Sequence, residues 1–446
     1  MILLEPGTEM SMDLLRKILQ QYQTCERVKL KRYRDYFDGK QDILRKSYND
    51  PSKPCNHIVT NYCDNIVCNY AGYLGGKPVT YKSEDNIDDI QEVLKYNDVR
   101  SKDAILLRNA LIYGCAYEIQ YIDEDGKDRF DELDTLDGIP VYDNTITRNL
   151  LYFIRVYPAG SFDNTPEYII EVLTPYETVR YSSDGTYSAF RPLGTEPHPY
   201  GQVPVTVFSL NADEVPIFYK IMSLQDAYNT LLSSEVDDFE AFCDAYLVLT
   251  GMDADNEEVA AMKENRVLII PEDGAAEYLT KSVSDTQIQN MLQNINDTIH
   301  KIANSPDFSQ ESFGVSSGIA LRYRLLGFEN AASAIESNMV KALQKRIELI
   351  CSILRLTGGE EVWRDVEIVV GRNLPVNYDE LVALVNSLRG VVSDKTLLSL
   401  LPFVQDVDAE LQELEKQKAE NMTLYGFGDA ASGNESGVGA NEQEER

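Results

Sequence analysis

SVSDTQIQNMLQNINDTIHKIANSPDFSQESFGVSSGIALRYRLLGFENAASAIESNMVKALQKRIELICSIL, residues 282–354, decides how the chain is built. From Ser284 to Ala303, Ile288, Leu292, Ile295, Ile299 and Ile302 recur at threes and fours behind an N-capping serine, which predicts one amphipathic helix. Phe328, Ala332, Ile335, Met339, Leu343, Ile347, Ile350 and Leu354 repeat the pattern in a longer helix that stops at Gly358-Gly359. Between them, Asn304 to Gly318 is punctuated by Ser and Gly and is too long for an ordinary helix–helix link. A functional loop is expected there.

Upstream, Ile217 to about Leu249 holds no Pro or Gly and reads as a helix of about 45 Å. A small α/β insert follows: a helix Glu257–Asn265 and strands Val267–Ile270 and Ala276–Leu279. Across 217–305 acids outnumber bases roughly threefold. Residues 1–216 read as α+β. Helices are expected over Met12–Phe37, with Leu14, Ile18, Tyr22 and Val28 inside, and over His57–Val67, Asp85–Tyr96 and Val99–Tyr113. Strands are expected after Gly76 and over Cys115–Ile122, Tyr152–Tyr157, Tyr168–Leu173, Thr178–Tyr181 and Val205–Phe208. Arg27, Lys29, Lys31, Arg32 and Arg34 break the acidic trend, as a solvated face or a patch for an acidic surface. After the long helix come a strand, Val366–Val370, and helices Tyr378–Leu388, Ser393–Leu400 and Ala409–Ala419. Beyond about Asn421 the Gly/Ser/Glu/Asn-rich tail predicts disorder.

Composition narrows the chemistry. The 446 residues allow two or three domains, and the 43% hydrophobic content is that of a folded protein. No apolar run approaches the roughly 20 residues of a membrane span, and Glu5-Pro6 interrupts any signal sequence. Seven scattered cysteines predict reduced thiols and synthesis in a cytoplasm. The net charge of −32 is opposed to a clamp on nucleic acid, which gains affinity by neutralising phosphates. It suits either plain solubility or a protein that lies beside a polyanion without gripping it. Gly72–Lys77 lacks phosphate-loop spacing and is followed by Pro78. Asp123, Asp125 and Gly126 form a hairpin turn rather than a calcium loop. Cys55, His57, Cys63 and Cys68 do not have zinc spacing. The three histidines, His57, His198 and His300, sit in no hydrolase motif. No cofactor, no metal and no catalytic residue is expected.

The order of several local patterns resembles the portal proteins of tailed bacteriophages, especially those of siphophages and prophages of Gram-positive bacteria. They are Tyr33-x-x-Tyr36-Phe37-x-Gly39-Lys40-Gln41-x-Ile43 and Lys53-Pro54-x-Asn56-x-Ile58-Val59-x-Asn61-Tyr62. Gly72-Tyr73-Leu74-x-Gly76-Lys77-Pro78-Val79, Gly201-x-Val203-Pro204-Val205 and Leu224-Gln225-Asp226-Ala227-Tyr228-Asn229 follow. Last come Phe313-Gly314-x-Ser316-Ser317-Gly318-Ile319-Ala320 and Leu325-Leu326-Gly327-x-Glu329. The resemblance spans about Leu15 to Arg355.

It implies an α+β portal fold: a wing (1–216), stem helices (217–249 and 284–303), a clip (250–283), a tunnel loop (304–324), a spine helix (325–365) and a crown (366–421), with the tail at 422–446. It implies a ring, usually of twelve subunits, at one capsid vertex. A terminase motor would pump double-stranded DNA through it, and the DNA would later leave the same way. The implied partners are the terminase large subunit, a head–tail adaptor, and the major capsid and scaffolding proteins, with no membrane and no enzymatic activity. Phe313, Gly314, Val315, Ser316, Ser317, Gly318, Arg322 and Arg324 would then belong to the tunnel loop. Asp226, Glu235, Asp238, Asp285, Asp297 and Lys301 would line the channel. The physical fit is that acidic walls repel phosphate and let DNA slide. A metal-dependent nuclease using clustered acids and a head-completion adaptor are the competing readings.

Overall fold

In a computed structural model the chain is described over residues 1–51, 53–160, 167–243, 247–250, 275–278, 285–308, 318–356, 362–373, 378–401, 404 and 407–424. Side chains are described over these spans apart from 241–249, 275–285, 318–322, 356, 378–380, 408 and 419–424. Two compact units emerge, Met1–Asn373 and Leu374–Arg446.

The first unit holds helices α1 (Met12–Gln21), α2 (Arg27–Phe37), α3 (Tyr62–Gly75), α4 (Asp88–Tyr96) and α5 (Val99–Tyr113). It also holds α6 (Met222–Cys243), α7 (Asp285–Ile302) and α8 (Gly318–Leu356). Its strands are β1 (Ile2–Leu4), β2 (Thr80–Lys82), β3 (Cys115–Ile122), β4 (Asp128–Leu133), β5 (Gly138–Asp143), β6 (Leu150–Pro158) and β7 (Glu167–Leu173). The rest are β8 (Glu177–Asp184), β9 (Arg191–Pro197), β10 (Val205–Ser209), β11 (Leu247–Thr250), β12 (Ala275–Tyr278) and β13 (Glu367–Val369). One sheet runs β1-β5-β6-β7-β8-β9, a second β10-β3-β4, and β11-β12 and β13-β2 form pairs. The second unit contributes α9 (Tyr378–Leu388), α10 (Asp394–Ser399) and α11 (Val407–Leu424).

The long helix behaves as its spacing requires. Phe328, Ala332, Ile335, Met339, Leu343, Ile347 and Ile350 are all buried in one core with α3, α5 and β10, and Leu354 packs against it. A 3.6-residue period puts these positions on one stripe, and burying a stripe of such side chains contributes roughly 1.5–3 kcal/mol for each large one. Gly114 ends α5 at φ +87°, where a Cβ would meet the Glu214 backbone at 2.4 Å, so only glycine lets β3 start there.

The same helix carries a charge into the core. Arg346 is fully buried and donates to Glu118 on β3 through Nε (2.7 Å) and Nη2 (2.8 Å), to Asp103 (2.5 Å) and to the Tyr81 hydroxyl (3.2 Å). Its guanidinium also lies 4.6 Å from the Phe130 ring centre. Burial disfavours the charged arginine, but the two carboxylates outweigh it and hold its pKa well above the usual value.

Several expectations are corrected. Residues 57–61 do not form a helix; α3 starts at Tyr62 behind Asn61, because Ile58-Val59-Thr60 is a β-branched run that stays extended. The helix from the 217 region stops at Cys243, and Leu247–Thr250 pairs antiparallel with Ala275–Tyr278. That makes α6 about 33 Å long rather than 45 Å. The long helix begins at Gly318 rather than Leu325. β13 pairs with β2, so 366–373 belongs to the first unit and not to a crown. Val28 is 61% exposed while Leu30 is the buried residue beside it on α2, and on α1 Leu15 rather than Leu14 is fully buried. Strands β1, β4, β5 and β9 are not among the strands named from the sequence, although the expected hairpin turn at 123–126 does join β3 to β4. The 309–317 part of the expected loop, most of the clip and the tail beyond Leu424 lie outside the described residues.

Candidate functional site

The acidic helix α6 is seated on the first half of the chain by a polar ladder. Gln225, Asn229, Ser233 and Asp237 recur every four residues on one face of α6, and all four are buried. Each accepts a hydrogen bond from the backbone of the extended segment before α3. Tyr62 N–H donates to Gln225 Oε1 (3.0 Å), Thr60 N–H to Asn229 Oδ1 (3.0 Å), Ile58 N–H to Ser233 Oγ (3.0 Å) and Asn56 N–H to Asp237 Oδ1 (2.6 Å). The match is geometric. Four helical residues rise about 6 Å, and two extended residues span about 6.6 Å, so alternate N–H groups meet successive turns. Buried N–H groups need such partners, and here a helix supplies what a neighbouring strand would.

The rungs are tied sideways as well. Asn229 Nδ2 donates to Gln41 Oε1, and Gln41 Nε2 donates to Asn61 Oδ1 (3.1 Å) and to the Tyr36 carbonyl (3.2 Å). Lys46 Nζ lies 2.7 Å from Asp237 Oδ2. Burial resists ionisation of Asp237, yet Lys46 and the Asn56 donors prevail and lower its pKa. Glu240 accepts from Asn56 Nδ2 at 3.0 Å.

A second junction joins α3 to the long helix. Tyr70 and Tyr73 flank Phe328 at ring separations of 4.6 and 4.7 Å. The Tyr73 hydroxyl donates to Glu329, which also pairs with Arg372 (2.9 Å); Arg372 reaches Glu336 at 2.5 Å. The Tyr70 hydroxyl donates to the Ala303 carbonyl at the end of α7 (3.0 Å). The patterns quoted from the sequence, separate there, thus meet here: the 36–41, 56–62 and 224–229 stretches at the ladder, and the 72–79 and 325–329 stretches at this joint.

A family model described as phage portal protein, SPP1 Gp6-like, matches residues 16–424. The chain belongs to that family. It is 26% identical to the portal protein of Bacillus phage SPP1 over 430 residues, covering 91% of this chain and 84% of the relative. It is 22% identical to the portal protein of Clostridium phage phiCD119 over 443 residues, covering 92% and 97%. Among solved structures, the neck of a native gene transfer agent particle computed with C12 symmetry shares 12% identity at a TM-score of 0.47, over 76% of this chain and 89% of that one.

In this portal protein α6 and α7 run antiparallel. The start of α6 and the end of α7 both meet the first unit's core, and Tyr62 touches Tyr228 (5.2 Å) and His300 (5.8 Å) with its ring. His300 Nδ1 is 2.9 Å from the Ser305 carbonyl, a local helix-end role. The residues expected to line a channel separate into groups. Asp226 is turned inward, accepting from the Tyr36 hydroxyl at 2.7 and 2.9 Å, and burial raises its pKa. It neighbours the ladder residue Gln225 on the wheel, so it faces α2. Glu235 and Asp238 are half-buried on α6. Asp297 is exposed and accepts from Gln293 (2.8 Å), and Lys301 is exposed on the last turn of α7. Asp285 opens α7, with its side chain outside the described set.

Of the expected loop residues, Phe313, Gly314, Val315, Ser316 and Ser317 lie outside the described residues. Gly318, Arg322 and Arg324 are corrected to the opening turns of α8, where helical pattern runs further back than the apolar stripe indicated. Sequence reasoning missed Arg346, Gln41 and the ladder. The i, i+4 spacing of Gln225, Asn229, Ser233 and Asp237 was the available signal, but a polar stripe on an acidic helix reads first as a solvated face.

Proposed function

We propose that this portal protein assembles as a ring of about twelve copies at one capsid vertex of a virion, after synthesis in the host cytoplasm, with α6 and α7 of every copy as the channel wall. The observation that carries the reading is the seat of α6. Its polar face is committed to the 56–62 segment, so the helix is held in one orientation. Glu235, Asp238 and, on α7, Asp297 remain on the stem outside the ladder. Repeated around an axis, such carboxylates make a wall that repels phosphate, and duplex DNA passes without sequence-specific contacts. Lys301, Arg322 and Arg324 flank the 309–317 stretch in sequence, and with Phe313–Gly318 they would graze the DNA.

The protein acts in this reading as a conduit and platform rather than an enzyme. A terminase large subunit drives DNA inward through it, and a head–tail adaptor binds once packaging ends. The major capsid and scaffolding proteins hold its rim. Electron microscopy of the purified chain tests this: rings with an axial opening and about twelve subunits are expected. A species that stays monomeric at every concentration, or rings without an opening, would overturn it.

A further inference from the structure

A ring needs two different, complementary faces on every subunit. We propose that the basic face of α2 is one of them, and that it docks on the acidic face presented by α4 of a second copy of this chain. The proposal rests on the ring reading above and names the contact that closes it.

Helix α2 carries five cations in a chain of net charge −32. Two are satisfied within the chain: Arg32 pairs with Asp42 (3.3 Å) and Arg34 with Asp38 (3.0 Å). Arg27, Lys29 and Lys31 form no salt bridge among the described residues; Arg27 and Lys31, one turn apart, share one side of α2, where Lys31 is exposed, whereas Lys29 lies on the other flank with its ammonium 6.0 Å from the Tyr33 ring centre. Between them Val28 is 61% exposed. An exposed apolar residue beside cations that have no carboxylate partner is the make-up of an interface rather than of a solvated face.

The complement lies on α4 and the turn before it. Glu84, Asp85, Asp88, Asp89 and Glu92 are all exposed, and none forms a salt bridge among the described residues. The acids of α6 are poorer partners, because Asp226, Asp237 and Glu240 already accept hydrogen bonds within the chain.

The two faces point in different directions, as a head-to-tail contact requires. Both helices pack on α5. On the α2 side, Arg108 of α5 lies over the Phe37 ring at 5.1 Å. On the other side, Lys102 of α5 reaches Glu132 of β4 at 2.9 Å. Asn97, at the end of α4, donates to the Asp128 carbonyl of the same strand at 3.0 Å. Residues 102 and 108 are six apart, so those directions differ by about 120° around α5. A copy that offers α2 to one neighbour therefore keeps α4 free for the other.

Charge reversal on the full chain tests the contact, with ring formation followed by mass photometry across protein and salt concentration. Arg27→Glu with Lys31→Glu should raise the concentration at half-assembly at least about tenfold, and so should Asp88→Lys with Asp89→Lys. A chain carrying all four changes should assemble within a few-fold of the unmodified one, because the pairing is restored with its sign exchanged. Rescue also shows that the pairs had not failed merely by misfolding. Rings from either pair that match the unmodified chain, or a four-change chain no better than the pairs, would overturn the contact while leaving the ring intact. An unmodified chain that forms no ring sinks the ring reading, and this contact with it.

Discussion

Two long helices of the first unit are held in place by opposite materials. Helix α8 is held by a seam of apolar side chains with one buried ion cluster, and α6 by a ladder of amide, hydroxyl and carboxylate groups. Apolar packing is strong but undirected, since a helix can slide or rotate a little and still bury its stripe. A ladder contributes less, because each hydrogen bond replaces one to water, but it fixes register at every rung. The difference fits the proposed division of roles, in which α8 holds the subunit together and α6 presents its outer face in one orientation.

The largest effect should come from the ion cluster in the apolar seam. Arg346→Met removes the only cation touching Glu118 and Asp103 among the described residues and leaves two buried carboxylates facing each other. Breaking a buried pair in this way costs about 3–5 kcal/mol. Urea unfolding at neutral pH should show that loss. The loss should shrink at acid pH, where the stranded carboxylates take up protons. A cost that stays constant with pH would show that Arg346 acts by packing alone.

A second, smaller effect sits on the same sheet. Asp128 is buried on β4, accepts from the Tyr200 hydroxyl at 2.7 Å, and has its other oxygen unpartnered. Burial pushes its carboxyl up to about 7. Because the folded state holds this proton more tightly than the unfolded chain, the group's stabilising share is complete below about pH 4. It is lost as pH climbs through 7. Asp128→Asn should remove that slope, gaining on the unmodified chain by roughly 1 kcal/mol for each pH unit between 5 and 7. Parallel curves for the two proteins would show that Asp128 ionises normally.

The contrast also explains what could be read from sequence. The stripe from Phe328 to Leu354 was legible because burial and period coincide. So was α7, although Met291 and Ile302 on its flank are 46% and 40% exposed. Arg346 was not legible, because KALQKRIEL offers three cations and nothing local says which one turns inward. Strands β4 and β9, DRFDEL and RPLGTEP, carry too few apolar residues to signal a sheet; β9 is exposed along its whole length. Residues 57–61 misled because a short β-branched run beside helix-like neighbours has no decisive period. Its conformation is set by α6, which lies about 170 residues away in the chain.

The ladder itself should yield the smallest change in global stability and the most local one. Asn229→Ala removes the acceptor of the Thr60 N–H and the donor to Gln41, at a site that is fully buried. A stranded backbone donor costs about 1–3 kcal/mol, and water entering the space left by the side chain recovers part of that, so a net loss of about 1–2 kcal/mol is expected. If the rungs act together, amide exchange should accelerate at Ile58 and Tyr62 as well as Thr60, because shifting α6 lengthens their bonds to Ser233 and Gln225 too. If exchange rises at Thr60 alone, the rungs are independent and orientation must come from elsewhere. Asn229→Asp is the sharper probe: it keeps the acceptor for Thr60 but places an anion against the Gln41 carbonyl oxygen. It should therefore protect the Thr60 amide while loosening Gln41 and the Tyr36 carbonyl that Gln41 holds.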